Sequence, residues 1–119
     1  MSAPNIMALS SITGKTDVLA ITNSPAAITT NTAASGKCYK INSLVISNIS
    51  GSVSGDVTVD VYRSSTAYRL AYLVTVSPKS ALVIVGRDSP LYLEEGDAIR
   101  LTASANSVLE GVCSYEVLS

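Results

Sequence analysis

Residues 56–62, DVTVDVY, carry the pattern that decides the fold, because apolar and polar side chains alternate along them. The alternation sets three valines against three polar residues: Val57, Val59 and Val61 against Asp56, Thr58 and Asp60. A period of two is that of a β-strand with one face buried and the other in water. The segment therefore predicts a half-buried strand.

Similar segments lie on both sides of this strand and are rich in Val and Thr, which favour strands. The further predicted strands are 17–22, 38–49, 68–76, 80–85, 91–93, 99–104 and 113–118. Residues 80–85 are apolar after the first position and predict a short, fully buried strand. In the long segment 38–49 the phase slips at Asn42 and Ser43, which predicts a bulge. Residues 23–36, NSPAAITTNTAASG, predict a long surface loop.

Turn residues separate these strands at short, regular intervals, and no helical period lies between them. Examples are residues 50–52 (SGS), 77–79 (SPK) and 105–107 (ANS). This spacing predicts an all-β fold: an antiparallel, jelly-roll-like β-sandwich of about eight strands with little helix. We expect residues 14–119 to form one domain and residues 1–13 to form an extended N-terminal arm.

The composition indicates a chain that shares its apolar surface with another subunit. Of 119 residues, 47% are hydrophobic and 14% are charged. A domain of this size has a large surface for its volume and cannot bury every apolar side chain. Strand 68–76 has few charges on either side, so one of its faces is expected to meet another chain. We therefore expect a homo-oligomer, with a trimer as the favoured state.

Several classes of chemistry are disfavoured by the residues that are missing. Without histidine, the usual Ser-His-Asp and Cys-His sites and imidazole metal ligands are excluded. Cys38 and Cys113 cannot make a tetrahedral zinc site alone. A net charge of −1 provides no field for a nucleic-acid backbone. We expect no enzyme activity, no catalytic residue, no cofactor, no metal and no nucleic-acid partner.

The two cysteines allow two interpretations. Both can be buried free thiols that act as small apolar side chains. Alternatively, Cys38 and Cys113 can form a disulfide between neighbouring strands. The N-terminal residues show no secretory signal, and the longest apolar run, 81–85, is too short to span a membrane. We expect synthesis in a cytoplasm, where free thiols are favoured.

Four local motifs could carry chemistry, and each has a simpler interpretation. Gly14-Lys15-Thr16 ends like a phosphate-binding loop, but Leu9 stands where the first glycine belongs, so a turn into the first strand is expected. Three acids surround Gly96 and could hold calcium or hydrolyse a glycoside, although a hairpin with its acids in water is favoured. Asn48-Ile49-Ser50 fits a glycosylation acceptor that needs secretion. The isolated arginines predict surface or inter-subunit ion pairs: Arg63, Arg69, Arg87 and Arg100.

Several segments together resemble small β-sandwich virion structural proteins of tailed bacteriophages, in particular those of marine and cyanobacterial phages. They are residues 12–16, 36–48, 56–62, 90–97 and 114–116. The resemblance covers most of the chain and consists of strands and turns, with no catalytic signature. It implies a virion protein assembled in the host cytoplasm, and no catalytic residue to transfer.

The function that this resemblance implies is structural. The favoured role is a capsid decoration or cement protein that binds the major capsid protein and stabilises the shell. The alternative is a tail, collar, baseplate or fibre component, and a glycan-binding module is a further alternative. No membrane partner is expected.

Overall fold

The order of the strands shows how the chain is wound. The computed structural model describes residues 11–86 and 88–119, and within them nine strands form two antiparallel sheets. Sheet A has the order β1-β9-β3-β6, with β7 also paired to β3, and sheet B has the order β2-β8-β4-β5. The strands are β1 (Ile12–Ala20), β2 (Ala26–Thr30), β3 (Cys38–Asn48), β4 (Gly55–Arg63), β5 (Thr66–Val76), β6 (Ala81–Val85), β7 (Leu91–Leu93), β8 (Ala98–Ala103) and β9 (Leu109–Leu118).

These pairings make a jelly roll. β1 pairs with β9, β2 with β8, β3 with β6 and β4 with β5, all antiparallel. The chain is thus one long hairpin, rolled so that successive strand pairs alternate between the two sheets. Only β7 stands outside this scheme among the described strands, as a short addition beside β3. The predicted all-β sandwich is confirmed, with nine strands where about eight were expected.

The core lies between the inward faces of the two sheets, where the alternating residues predicted to be buried are found. Val57 and Val59 of β4, and Ile99 and Leu101 of β8, have exposures of 0%. Leu44 of β3 joins them from sheet A, also at 0%. Removing such side chains from water supplies most of the stabilisation, at roughly 25 cal/mol per Å² of apolar surface.

The predicted bulge in the long third strand is confirmed. The register of β3 against β9 shifts between Ile41 and Ser43, so that the inward phase passes from Ile41 to Leu44. One extra residue bends a strand and increases its twist. The bend lets an 11-residue strand contribute to the core along its whole length.

Three details of the predicted strands were wrong. Residues 23–36 are not a surface loop throughout, since they contain β2, whose Ile28 and Thr29 are buried. The small, polar residues of this segment do not favour a strand by themselves, and the strand forms because it pairs with β8. The first strand starts at Ile12 rather than near residue 17. β6 is not fully buried, because it is an outer strand and Val83 is 61% exposed.

The predicted N-terminal arm, residues 1–13, lies outside the described residues up to position 10. Ser11 exchanges two backbone hydrogen bonds with Ser119, each of 3.0 Å. Ile12 and Thr13 are paired with Leu118 and Val117 in β1 and β9. Position 11 is therefore held against the C-terminal end of β9, which places the start of the described chain at one end of sheet A.

Two buried asparagines hold loops in place. Asn31 is 0% exposed, and its Nδ2 donates to the carbonyl oxygens of Lys37 and Leu93 at 2.9 and 3.0 Å. Asn48 is 4% exposed, and its Nδ2 donates to the carbonyl oxygens of Val53 and Val76 at 2.9 and 2.8 Å. The amide of the Asn48-Ile49-Ser50 motif is thus used internally, so the folded chain does not offer it to a glycosylating enzyme.

Candidate interaction surfaces

The GKT motif is not a phosphate-binding loop. Gly14, Lys15 and Thr16 lie within β1 and pair with Glu116, Tyr115 and Ser114 of β9. A phosphate-binding loop needs a strand before it and a helix after it. The expected turn at this position was also wrong, because the motif is part of an extended strand.

The acidic residues around Gly96 form a turn, but one of them is buried. Gly96 has a φ of 89°, which glycine adopts without steric cost, as the hairpin interpretation expected. The expectation that all three acids lie in water was wrong for Asp97, which is 1% exposed. Arg63 Nε donates to Asp97 Oδ1 at 2.7 Å, and Arg63 Nη2 donates to Glu94 Oε2 at 2.7 Å. The turn is therefore clamped to the end of β4.

The Asp97 carboxylate is held in its charged form by these contacts. Burial alone would raise its pKa, but the hydrogen bonds from Arg63 and from the backbone N–H of Glu94, with the charge of Arg63, bring that pKa below its ordinary value. A carboxyl whose pKa is lowered by folding stabilises the fold above its unfolded pKa, near 4. That stabilisation is lost as the pH falls through the lowered pKa of the folded state.

Arg63→Met is expected to destabilise the fold by about 2 kcal/mol at pH 7, because it leaves the buried Asp97 charge without its partner. The pH dependence of the contribution that Asp97 makes to folding stability should also reverse. Once Asp97 has lost Arg63, burial dominates and raises its pKa, so the variant gains stability relative to wild type as the pH falls. Urea denaturation between pH 3 and pH 7 measures both effects. Glu94→Gln is the control, because it removes an exposed partner and should cost less than ~1 kcal/mol.

The cysteines are buried and unbonded. Cys38 begins β3 opposite Leu118, whereas Cys113 lies opposite Leu44. Leu118, the β9 residue opposite Cys38, is five residues from Cys113, which is about 16 Å along the strand. A disulfide needs Cα atoms within about 7 Å of each other. The alternative of a Cys38–Cys113 bridge within one chain therefore does not fit the fold.

We expect both cysteines to be free thiols that react slowly with a thiol reagent in the native protein and fully after denaturation. Burial raises the pKa of each thiol, and the charge of Glu94 adds to this at Cys38, as that of Asp17 does at Cys113. The reactive thiolate is therefore scarce at neutral pH. Titration with a thiol reagent should detect two thiols per chain after denaturation without reductant. Finding none under those conditions would show that they are oxidised.

The most exposed large apolar side chains of sheet B lie on β5. We call Tyr68, Leu70, Tyr72 and Leu73 the β5 patch, and their exposures are 59%, 43%, 62% and 53%. β5 is the last strand in the order of sheet B, so one of its edges has no strand partner in the described part of the chain. A long, apolar edge strand is a template for association with another chain.

β5 also contains strained backbone at this patch. Its register against β4 shifts twice, between Val57 and Val59 and between Val59 and Asp60, each time with an extra residue in β5. Leu73 has a φ of 50°, and its N–H donates to Thr58 Oγ1 at 3.3 Å. A left-handed conformation is rare and costly for a bulky residue, and such strain concentrates at functional positions.

Arginine and tyrosine side chains are stacked on and beside the β5 patch. The Arg69 guanidinium lies 4.8 Å from the centre of the Tyr72 ring. On the neighbouring strands, Arg100 lies 3.9 Å from the Tyr62 ring and its Nε donates to the buried Asp60 at 2.9 Å. Tyrosine and arginine are among the residues most enriched where proteins bind one another. The predicted ion pairs are thus found for Arg63 and Arg100, Arg69 is stacked on a ring, and Arg87 lies outside the described residues.

A second apolar surface lies on the outer side of sheet A. Val18, Val112, Val45 and Val83 are aligned in register across β1, β9, β3 and β6. Three of them are well exposed, at 73% for Val18, 40% for Val112 and 61% for Val83. The flanking rows are Thr16, Ser114 and Ser43 on one side and Ala20, Glu110, Ser47 and Ala81 on the other. We call these three rows the valine face, in which Glu110 is the only charged residue.

A shallow cleft lies at the end of the sandwich, between β5 and β7. It is lined by Tyr68 and Tyr92, which are 59% and 41% exposed, together with Val61, Leu91 and Arg63. Arg63 is paired with Asp97 and Glu94, so it brings little free charge to the cleft. Two exposed rings and a guanidinium could contact a small polar ligand such as a sugar.

Comparisons with known proteins add a fold likeness and no family. No family model and no curated protein matches the chain. One solved structure, described as "Bacillus endospore appendages form a novel family of disulfide-linked pili", is 16% identical with a TM-score of 0.49. The match covers 94% of this chain and 93% of that one. At this identity and TM-score it supports no inference about function.

Residues 11–86 and 88–119 contain neither a metal-binding cluster nor a membrane-spanning helix. No three or more acidic or cysteine side chains there are grouped so that they could hold a metal ion. The same residues contain no helix long and apolar enough to cross a membrane.

Proposed function

We propose that this chain is a repeated structural component of a tailed phage virion, and most specifically a decoration protein on the outside of the capsid. The observation that carries the proposal is the β5 patch, an apolar edge strand with stacked tyrosine and arginine on an otherwise well-packed jelly roll. The resemblance of its strands and turns to phage virion proteins supplies the setting.

The chain would work through association rather than chemistry. Three β5 patches that pack together around a threefold axis would give a closed trimer. Closure covers the exposed edge strands, so that further copies cannot add to them without limit. A trimer also matches the local threefold positions of a capsid. Many weak contacts between such trimers and the shell then add up by avidity.

A tail, collar, baseplate or fibre position is the alternative within the same class. It uses the same β5 patch and would allow symmetries other than threefold. The cleft between Tyr68 and Tyr92 favours a second candidate, a glycan-binding module, because exposed rings stack on sugars. A glycan array with the purified protein tests it, and Tyr92→Ala should abolish any sugar signal found.

Genome release on heating tests the decoration role. Phage particles made without this protein should release their DNA at a lower temperature than wild-type particles, because the shell resists internal pressure less well. Adding purified protein should restore the wild-type release temperature. Particles that lack the protein yet have an unchanged release temperature, and that do not bind the added protein, would contradict the decoration role.

A further inference from the structure

The valine face would remain open in a trimer held together by β5, because it lies on the outer side of sheet A whereas β5 belongs to sheet B. We infer that residues 1–10 of one copy, the N-terminal segment, dock on the valine face of another copy. The inference rests on the proposed homo-oligomer and names what the second surface of that oligomer binds.

The N-terminal segment and the valine face match in polarity. The first charged side chain of the sequence is Lys15, and the N-terminal segment contains Ile6, Met7 and Leu9. On the valine face, the exposed valines are flanked by hydroxyl and methyl side chains and by one charged residue, Glu110. Burying exposed Val18 and Val83 against these apolar side chains is favourable, and the N-terminal segment brings no charged side chain onto the valines.

The size of the valine face suits one extended segment. Four strands at about 4.8 Å and three rows at about 6.7 Å make a strip of a few hundred Å². A stable interface between two globular copies buries about 800 Å² on each partner. The valine face alone is therefore too small to hold a second sandwich, and an extended peptide can cover it.

The reach of the chain indicates that the face belongs to another copy. Ser11 is anchored beside Ser119 at one end of β1, and Val18 is about 23 Å further along that strand. Five residues separate Ile6 from Ser11, which allows about 18 Å when the chain is fully extended. If the chain ran straight back along β1 from Ser11, Ile6 would reach no further than the Thr16 row, and Met7 and Leu9 would reach less far. These side chains therefore do not reach the valine row of their own chain. Each copy would reach the next, and three such contacts close a ring.

Disulfide trapping between two different chains tests this docking. A Met7→Cys chain and a Val83→Cys chain carry different tags and are co-expressed so that mixed oligomers form, which are then oxidised with copper phenanthroline. We expect a disulfide-linked pair containing both tags. Met7→Cys with Val53→Cys is the control, because Val53 is similarly exposed, at 49%, and lies in the loop between β3 and β4. That pair should crosslink at least tenfold less.

The outcomes separate this inference from the proposed function. An oligomer that shows no preference for position 83 over position 53 overturns the docking and leaves the decoration role standing. A monomer without crosslinks overturns the docking together with the oligomer on which it rests. Selective crosslinking in a protein whose loss leaves particles unchanged supports the docking and contradicts the decoration role. Val83→Asp should lower the selective crosslinking of Met7→Cys to a cysteine at Val18, whereas Val53→Asp should not.

Discussion

Tyr72→Asp is expected to convert the proposed trimer into a monomer. Tyr72 is the most exposed residue of the β5 patch, at 62%, and Arg69 lies over its ring. Aspartate would remove the aromatic contact area that dominates such interfaces and put a strongly hydrated carboxylate in its place on every copy. We expect association to weaken at least ~100-fold, which corresponds to about 2.7 kcal/mol. Multi-angle light scattering at micromolar concentration measures the change.

The fold of this variant should be unaffected, because an exposed side chain contributes little to the core. Its far-ultraviolet circular dichroism should therefore match that of wild type, whereas its thermal midpoint should be lower, because association of folded copies stabilises them. Val53→Asp is the control, since Val53 is also an exposed apolar residue, at 49%, but lies in the loop between β3 and β4, outside the β5 patch. A Tyr72→Asp protein that remains a trimer would show that β5 is not the interface.

Asn31→Ala is expected to cost about 3 kcal/mol of folding stability. The side chain is fully buried and joins three parts of the chain, because its Nδ2 donates to Lys37 O and Leu93 O and its Oδ1 accepts from Ser35 Oγ at 2.6 Å. Alanine leaves the buried Leu93 carbonyl group without this partner, together with the Lys37 carbonyl and the Ser35 hydroxyl in part-buried positions. Each loss at a buried group costs roughly 1–3 kcal/mol. Urea denaturation measures the loss.

Asn42→Ala is the matched control for this substitution. Asn42 is half-buried, and its Nδ2 donates at 3.0 Å to the carboxylate of Glu116, which can bind water instead. We expect a loss below ~1 kcal/mol. Equal losses for the two variants would mean that Asn31 does not connect β2, the start of β3 and β7 in the way described.

The parts of the fold that could be predicted are the strands in which apolar and polar residues alternate. A period of two is visible within a few residues, so it predicts both a strand and its buried face. Examples are Val57 and Val59 in β4, and Ile99 and Leu101 in β8. β2 could not be predicted in this way, because its AAITT sequence becomes a strand only through pairing with β8. The jelly-roll pairing of β1 with β9 joins residues about a hundred positions apart, and no local pattern reports it.

The candidate surfaces could be predicted only in part. The scarcity of charge in strand 68–76 indicated an association surface, and the exposed β5 patch lies there. The valine face could not be foreseen, because Val18, Val45, Val83 and Val112 come from four separate strands and are aligned by register alone. The burial of Asp60 and Asp97 could not be predicted either. A charged residue in an alternating strand or in a turn is normally expected to be exposed to solvent.

The number of copies in purified virions tests the proposed role most directly. Quantitative mass spectrometry of intact particles, with the major capsid protein as the internal standard, gives that number for this 12.3 kDa chain. A decoration protein bound by many weak, symmetric contacts should be present in hundreds of copies per particle. A few dozen copies or fewer would place it in the tail instead, and its absence from washed particles would contradict a structural role in the virion.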